Sequence, residues 1–463
     1  MSVNFDEAGP SRSKRKSSDP DAGNEDCKFK AENLSCIDDV TDESSDDDKA
    51  AQLGEYLSAQ YEVLLRVLSN LSAFDLRRAA LVSKAWQSAA RVVRDSRQQL
   101  HWLFWNAKPG MNIDPPLVLQ SSIREMYSQP TLCVAFFTKN ARKSFECSTP
   151  KIICPASKDQ NCCGKLHPME SFMATTLGPK CDILSLTVSG TVGTSDDLKF
   201  THEVEFISKS KVQSMSAALF PNFPGVKIER FKLTKQELLK GVREHISCEL
   251  DMASRLGLPG NMLIQAVVIF TGSRIRGDEV SMLVACLQSR QDHRIPVAGG
   301  IDEKPDNVEG LVFLGDNVCA ASLVIPETVT ERDTAVQYIS RLKSCNLPSE
   351  RALCFMFTCL GRGTIWYEGR ENVESEIINE VFPRSPVIGF FGQGEIGINV
   401  LPGFEAGNAS TFWANFKALC NEGKTALQAP PKVVKRGELS IDHSYSTCLL
   451  YLSFNTAKSS LPI

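Results

Sequence analysis

The amino-acid sequence predicts an α/β (α+β) protein: a short all-helical segment, then a larger region of mixed strands and helices in two parts. Three observations carry this. Apolar residues between Gly54 and Arg97 recur at the three-, four- and seven-residue spacings of a helix face. From about Pro130 onward, short β-branched and aromatic runs alternate with helical stretches. The first 50 residues, by contrast, hold 14 acidic against 7 basic side chains, net -7, with almost no apolar clustering. So polar a stretch cannot offset the entropy of ordering, and residues 1–53 read as a disordered acidic tail.

The chain has 463 residues, 42% of them hydrophobic, and a formal charge of -4, which is room for several domains with a real core. Past residue 50, 44 basic side chains meet 41 acidic ones. That near balance offers no concentrated basic surface for a phosphate backbone, so no nucleic-acid partner is expected. The longest apolar runs, Met262–Phe270 and Val387–Phe391, are strand-sized and far short of a membrane span, so no membrane partner is expected either. Met1–Lys16 lacks the apolar core of a secretory signal. The expected setting is cytoplasm and nucleus, the latter resting on the basic cluster Arg12-Ser13-Lys14-Arg15-Lys16. The 16 cysteines are scattered, several inside apolar runs (Cys133, Cys354, Cys448), with no C-x-x-C pair. Reduced, buried thiols are the expectation.

Val63, Leu64, Val67, Leu68 and Leu71 place one apolar face on a first helix. Ser72 opens a capping-box pattern with Asp75, starting a second helix at about Ala73–Leu81. Ser83 caps a third, with Val82, Trp86, Ala89, Ala90 and Val93 on its apolar face and Arg91, Arg94 and Arg97 on its wet side. Three such helices form a core too small to be comfortable alone, so the unit is expected to complete itself against a partner.

The order and spacing of Leu57, Val63-Leu64, Val67-Leu68, Leu71, Asp75-Leu76, Leu81-Val82-Ser83 and Trp86 resembles the F-box, which docks on the Skp-type adaptor of cullin-RING ubiquitin ligases. The pattern departs at Leu57-Ser58, where the family usually has Leu-Pro, and at Val82-Ser83, where it usually has Val-Cys. The resemblance places an F-box at 54–100; beyond it, Trp102–Trp105 and the Pro-rich Pro109–Pro116 read as a connector with an aromatic anchor, a linker at 101–130. The resemblance implies adaptor contacts from Leu57, Val63, Leu64, Val67, Leu68, Leu71, Leu76, Val82 and Trp86, and through the adaptor a link to cullin and RING subunits.

Strands are expected at Leu132–Thr138, Ile183–Val188, Val204–Ile207, Val226–Phe231, Leu263–Phe270 and Leu311–Leu314, and helices at Lys235–Leu256 and Glu279–Arg290. After a divide near Pro326 a second series follows: helix Glu331–Lys343, strand Leu353–Thr358, helix Asn372–Val381, strand Pro386–Phe391 and closing strand Tyr445–Phe454.

Chemistry could sit at three places. Gly392-Gln393-Gly394-Glu395-Ile396-Gly397 spells G-x-G-x-x-G after a strand, but Asn399–Gly407 contains Pro402 and two glycines and does not read as the helix a pyrophosphate needs. A tight glycine turn against another backbone or a small ligand is expected instead. Cys359 ends a strand beside Gly361-Arg362-Gly363, where Arg362 would favour a thiolate; a small buried residue at a turn is the commoner alternative. An enzyme there would need a base, and His443 oriented by Glu395 is the nearest in sequence. Cys147, Cys154, Cys162, Cys163 and His167 cluster, but their spacing does not suit the paired ligands of zinc. No metal and no cofactor is expected.

Phe355–Gly363 and Gly389–Gly397 together resemble the C-terminal FIST module, and Leu219–Gly225 and Pro296–Gly300 are similar to the N-terminal one. The resemblance implies a FIST N-terminal domain at 131–326 and a FIST C-terminal domain at 327–456. Joined to an F-box, it implies a non-catalytic substrate-recognition subunit of an SCF-type (Skp-cullin-F-box) ubiquitin ligase, whose FIST region selects protein substrates for ubiquitination and proteasomal degradation. Isolated bacterial FIST modules are regarded as small-ligand sensors. A second reading is therefore a pocket of Cys359, Gly361, Arg362, Gly363, Gly392, Gly394, Glu395 and Gly397, taking an amino-acid-like ligand whose carboxylate faces Arg362. An enzyme using Cys359 is the third.

Overall fold

The computed structural model describes residues 46–107, 115–143, 169–178, 180–205, 212–289, 291–302, 307–403 and 441–455. Arg12–Lys16 and the cluster of Cys147, Cys154, Cys162, Cys163 and His167 lie outside them. Residues 1–55 and 56–463 are separate compact units. Of the first, the structure describes only the start of helix α1 (Asp46–Ala59).

The second unit begins with three short helices, α2 (Tyr61–Leu68), α3 (Ala73–Ala79) and α4 (Lys84–Ser96). Ser72 Oγ accepts from the amide of Asp75 and Ser83 Oγ from that of Trp86, so both expected caps form. Asp75 does not reach back to the backbone; its carboxylate accepts from the Ser72 hydroxyl instead, at 3.0 Å. Leu64, Leu68, Leu76, Ala79, Ala89, Ala90 and Val93 make the core, with Leu65, Leu71, Ala80 and Trp86 packed against it. The small alanines of α3 and α4 pack around the two buried leucines of α2, Leu64 and Leu68.

Arg97 corrects the expected wet face. It is buried, donating from Nη1 to the carbonyl of Tyr127 (2.7 Å) and from Nη2 to those of Leu68 and Ser69 (both 3.1 Å). Its guanidinium carbon lies 3.9 Å from the centroid of the Tyr127 ring. The physical reason is that α4 stops at Ser96, so helical periodicity no longer assigns a face to residue 97, while the last carbonyls of α2 need donors.

The body follows: β1 (His101–Ala107), α5 (Pro115–Glu125), β2 (Pro130–Thr138), α6 (Lys139–Lys143), α7 (Met169–Leu177), β3 (Asp182–Val188), β4 (Gly190–Thr194), β5 (Thr201–Val204), β6 (Gln213–Pro221), β7 (Lys227–Thr234), α8 (Lys235–Ile246), α9 (Met252–Arg255), β8 (Ile264–Gly272), α10 (Gly277–Gln288), β9 (Val297–Asp302), β10 (Asn307–Leu314) and β11 (Val318–Ile325). After Pro326 come α11 (Arg332–Lys343), β12 (Ala352–Cys359), α12 (Val373–Val381), β13 (Val387–Gly392), β14 (Gly394–Gly397), β15 (Asp442–His443) and β16 (Thr447–Phe454). The architecture is thus a helical start followed by mixed α/β, as the sequence predicts. Trp102–Trp105, expected in a linker, lie instead in β1, paired antiparallel with β6; residues 108–114 of that expected linker lie outside the described residues. The expected helix Lys235–Leu256 is two helices: Cys248 takes φ 57° and Asp251 caps a new start at Met252.

The strands form three sheets, ordered β1-β6-β2-β3, β15-β14-β9-β8-β10-β7 and β11-β16-β12-β13-β4-β5. Strands from both sides of Pro326 share the second and third sheets. Alternation explains why so many strands read as unbroken apolar runs, since both faces are covered. Val134 and Phe136 of β2, Val268 and Phe270 of β8, and Phe355 and Phe357 of β12 share one core. The intervening Cys133, Ala135 and Phe137 face the cluster with α5 and α7, and Cys354 and Met356 that with α11 and α12. Phenylalanines from all three sheets meet edge-on in the shared core, as Phe136 does with Phe270 and Phe357.

Candidate functional site

Two places bring the sequence-predicted residues together: the helical unit and the strand ends around Arg362. In the helical unit the nine expected contact residues divide by burial. Leu64, Leu68 and Leu76 are buried in the unit's own core, so they hold it together rather than meet a partner. Leu57, Leu71 and Trp86 are half-buried. Val63 and Val67, one turn apart on α2, are exposed, and Val82 in the α3–α4 turn is 62% exposed. Leu81, outside the expected set, is 84% exposed. The signal that could have found it is positional: it follows the end of α3 and precedes the cap of α4, where no helix face can bury it.

At the strand ends, β12 delivers Cys359 and the following turn delivers Arg362. That arginine is 1% exposed. Its Nε and Nη2 donate to Glu374 Oε1 at 2.9 and 2.7 Å. Nη1 donates to the carbonyls of Pro326 (3.2 Å) and Tyr445 (2.8 Å), and Nη2 also to the Val329 carbonyl and the Tyr367 hydroxyl (both 3.1 Å). Every guanidinium N–H is thereby directed at the protein, which leaves no donor for a ligand carboxylate. This overturns the expectation that Arg362 faces a bound acid. Glu374 also accepts from Tyr367 at 2.6 Å and from the Thr447 hydroxyl.

The thiolate expectation fails for a related reason. Cys359 is buried, and burial, then the nearby Glu395, push its thiol up. Glu395 is itself fully buried on β14 and raised to about 8, chiefly by burial, against hydrogen bonds from Ser446. Its Oε2 accepts from the Ser446 hydroxyl at 2.8 Å and amide at 3.3 Å. The cysteine thus neighbours a neutral acid, and Arg362 spends its charge on Glu374. His443 stands opposite Glu395 in the β14–β15 register, but its Nε2 lies 2.9 Å from the Gly397 carbonyl.

The glycine run is a tight bend between two strands, Gly392 ending β13 and Gly394 starting β14, rather than a loop before a helix, and a Cβ on Gly392 would stand 2.7 Å from the Ile301 carbonyl oxygen. Gly394–Gly397 pairs antiparallel with β9 on one side, and its central residues with β15 on the other. Gln393 and Gly397 donate their amides to the carbonyls of Ile301 (2.8 Å) and Ile441 (2.7 Å), so they do not converge on an anion. Close approach accounts for the residue type: a Cβ on Gly397 would stand 2.6 Å from Cys448 Sγ. Among the described residues no group of three or more His, Cys, Asp or Glu is arranged to hold a metal ion, and no helix is long and apolar enough to cross a membrane.

These two features agree with the comparisons. A family model for F-box-like segments matches residues 61–93, and the FIST C domain model matches residues 304–398. The chain thus carries an F-box-like segment followed by a FIST C domain, and the FIST match begins upstream of the expected divide at Pro326. F-box only protein 22 of Homo sapiens and that of Pongo abelii are each 26% identical to it over 359 residues, spanning 74% of this chain and 85% of theirs. Among solved structures, a cyanuric acid hydrolase from A. caulinodans aligns over 78% of this chain and 100% of its own, at 8% identity and a TM-score of 0.31. That likeness is too distant to carry fold or chemistry across.

Proposed function

We propose that this F-box protein is the substrate-recognition subunit of an SCF-type ubiquitin ligase. The observation that carries the reading is the exposure of Val63, Val67, Leu81 and Val82 on a helical unit whose own core is complete without them. Such side chains contribute roughly 1.5–3 kcal/mol each when fully desolvated, and a Skp-type adaptor is the partner that would cover them. Through the adaptor the chain joins cullin and RING subunits. Its body, which carries the FIST C match over 304–398, holds a protein target. Ubiquitin transfer is then accelerated by proximity, with no bond chemistry at this chain, and the target goes to the proteasome. Cytoplasm and nucleus are the compartments in which such a ligase would act. The closed hydrogen bonding of Arg362 and the protonated Cys359 favour this reading over a small-ligand sensor and over a cysteine enzyme.

Capture on a purified Skp-type adaptor tests the proposal. Leu81→Glu combined with Val82→Glu should weaken capture at least about tenfold with the helical circular dichroism unchanged. Leu64→Ala, by contrast, should unfold the unit first, since a cavity there costs about 2–5 kcal/mol. Undiminished capture by the exposed pair of substitutions would sink the assignment.

A further inference from the structure

Of the large apolar side chains described, Ile365 is the most exposed, at 89%. It lies in the turn that follows Arg362, next to Trp366, whose ring stacks on that of Tyr445 with centroids 5.7 Å apart and planes at 17°. Tyr445 is itself 49% exposed. The platform is rigid for identifiable reasons. Trp366 Nε1 donates to the Val329 carbonyl at 2.9 Å, and the guanidinium of Arg362 sits 5.5 Å from the Trp366 ring centroid. Gly361 lets the tyrosine ring close over the backbone, because a Cβ there would stand 2.6 Å from Tyr445 Cε1. Tyr445 holds φ 54°, a left-handed conformation that costs energy for a bulky side chain. The buried Arg362 network therefore presents isoleucine, tryptophan and tyrosine in a fixed arrangement, which lowers the ordering cost of binding.

Besides Tyr445, two segments make this platform, 326–331 and 363–372, tied together through Pro326, Val329 and Arg362. Their exposed charges are Glu327, Glu331, Glu368 and Glu371 against Arg370. An apolar patch carried by segments whose exposed charge is mostly acidic is the complement of an apolar anchor with basic flanks. Tryptophan and tyrosine at such a centre are the residue types that dominate binding energy.

We propose that Ile365, Trp366 and Tyr445 are the surface on which the body holds its protein target, and that they take a target segment in which an apolar anchor is flanked by lysine or arginine. This rests on the substrate-receptor reading and adds to it the place and the chemistry of recognition.

The test uses the full chain as bait for a displayed library of random peptides, counter-selected on Ile365→Glu. Because Ile365 stands in solvent, that substitution leaves the fold intact. Selected peptides should carry Lys or Arg around a Leu, Phe or Trp, and should bind Ile365→Glu at least about tenfold more weakly than the native chain. Their binding should weaken with added salt, and Glu368→Lys with Glu371→Lys should weaken it further. Selection of nothing, of acid-flanked sequences, or of peptides indifferent to Ile365→Glu overturns the proposal. So does sedimentation showing that the native chain dimerises and Ile365→Glu does not, since the patch would then face a second copy. Capture by the Skp-type adaptor is unaffected by Ile365→Glu, so failure here and failure of the receptor reading are told apart.

Discussion

In the helical unit from Tyr61 to Arg97, Leu81 and Val82 stand in solvent while the core is a handful of leucines, alanines and a valine. Around β12 and β16 of the body the arrangement is reversed, with Arg362, Glu374 and Glu395 inside and fully covered. The difference follows from size. A three-helix unit has room for one small core and leaves further apolar side chains outside. A body of three sheets with helices on their faces has enough covering material to enclose charges, provided each is paired or neutralised. Apolar exposure in the small unit is what the proposed adaptor contact rests on, whereas the buried charges around β12 and β16 hold the large one together.

The largest effect should come from breaking the buried pair. Replacing Arg362 by methionine keeps most of the volume but leaves Glu374 without its cation, a change that costs about 3–5 kcal/mol. The melting temperature of the body should fall steeply, and Glu374→Gln should lower it too, because it leaves Arg362 as the unpaired charge and offers one acceptor oxygen where Tyr367 and Thr447 use two. If Arg362→Met melts like the native chain, the interior charge is not structural and the contrast with the helical unit fails.

A smaller effect is expected at Arg97, where the two regions meet. Its donors join the last carbonyls of α2 to that of Tyr127, and Ala73 adds an amide bond to the Met126 carbonyl at 2.7 Å. Hydrogen bonds to a charged group contribute about 1.5–3 kcal/mol, so Arg97→Met should lower protection in the helices by that order. Hydrogen exchange would show faster amides in α2 and α4 with β12 and β16 unchanged. Equal acceleration in both would mean that the regions unfold as one and that the arginine is no boundary.

Much of this was legible in the chain. The caps at Ser72 and Ser83 and the periodicity of α2, α11 and α12 depend on neighbours a few residues away, which a sequence displays directly. What escaped depends on partners far along the chain. Arg97 reads as solvent-facing in the sequence because its acceptors, Leu68 and Tyr127, lie some thirty residues to either side. Arg362 beside Cys359 reads as a thiolate's partner in the sequence, whereas in the fold Glu374, Pro326 and Tyr445 take its donors. Strands β4 and β11 were missed because small and polar residues such as Gly190, Thr191 and Ala320 dilute the apolar signal, although the pairing of β4 with β13 and of β11 with β16 buries them.

The most delicate test concerns the neutral acid. Glu395 is raised to about 8 in the folded chain, against an ordinary value of 4.5, so between those values the folded state keeps a proton that the unfolded state releases. Its contribution to stability is fully present below pH about 4.5 and is lost as pH rises toward 8. Glu203, pushed up to about 8 by burial and then by Glu374, acts in the same direction. Glu395→Gln keeps an acceptor for Ser446 and removes the titration, so its melting temperature should fall less than that of the native chain between pH 5 and 8. The two profiles should converge at the acid end and separate toward the alkaline end, with the variant higher. Parallel profiles would mean that the carboxyl is ionised in the folded chain, and that this interior tolerates an unpaired charge which the covered body was argued to exclude.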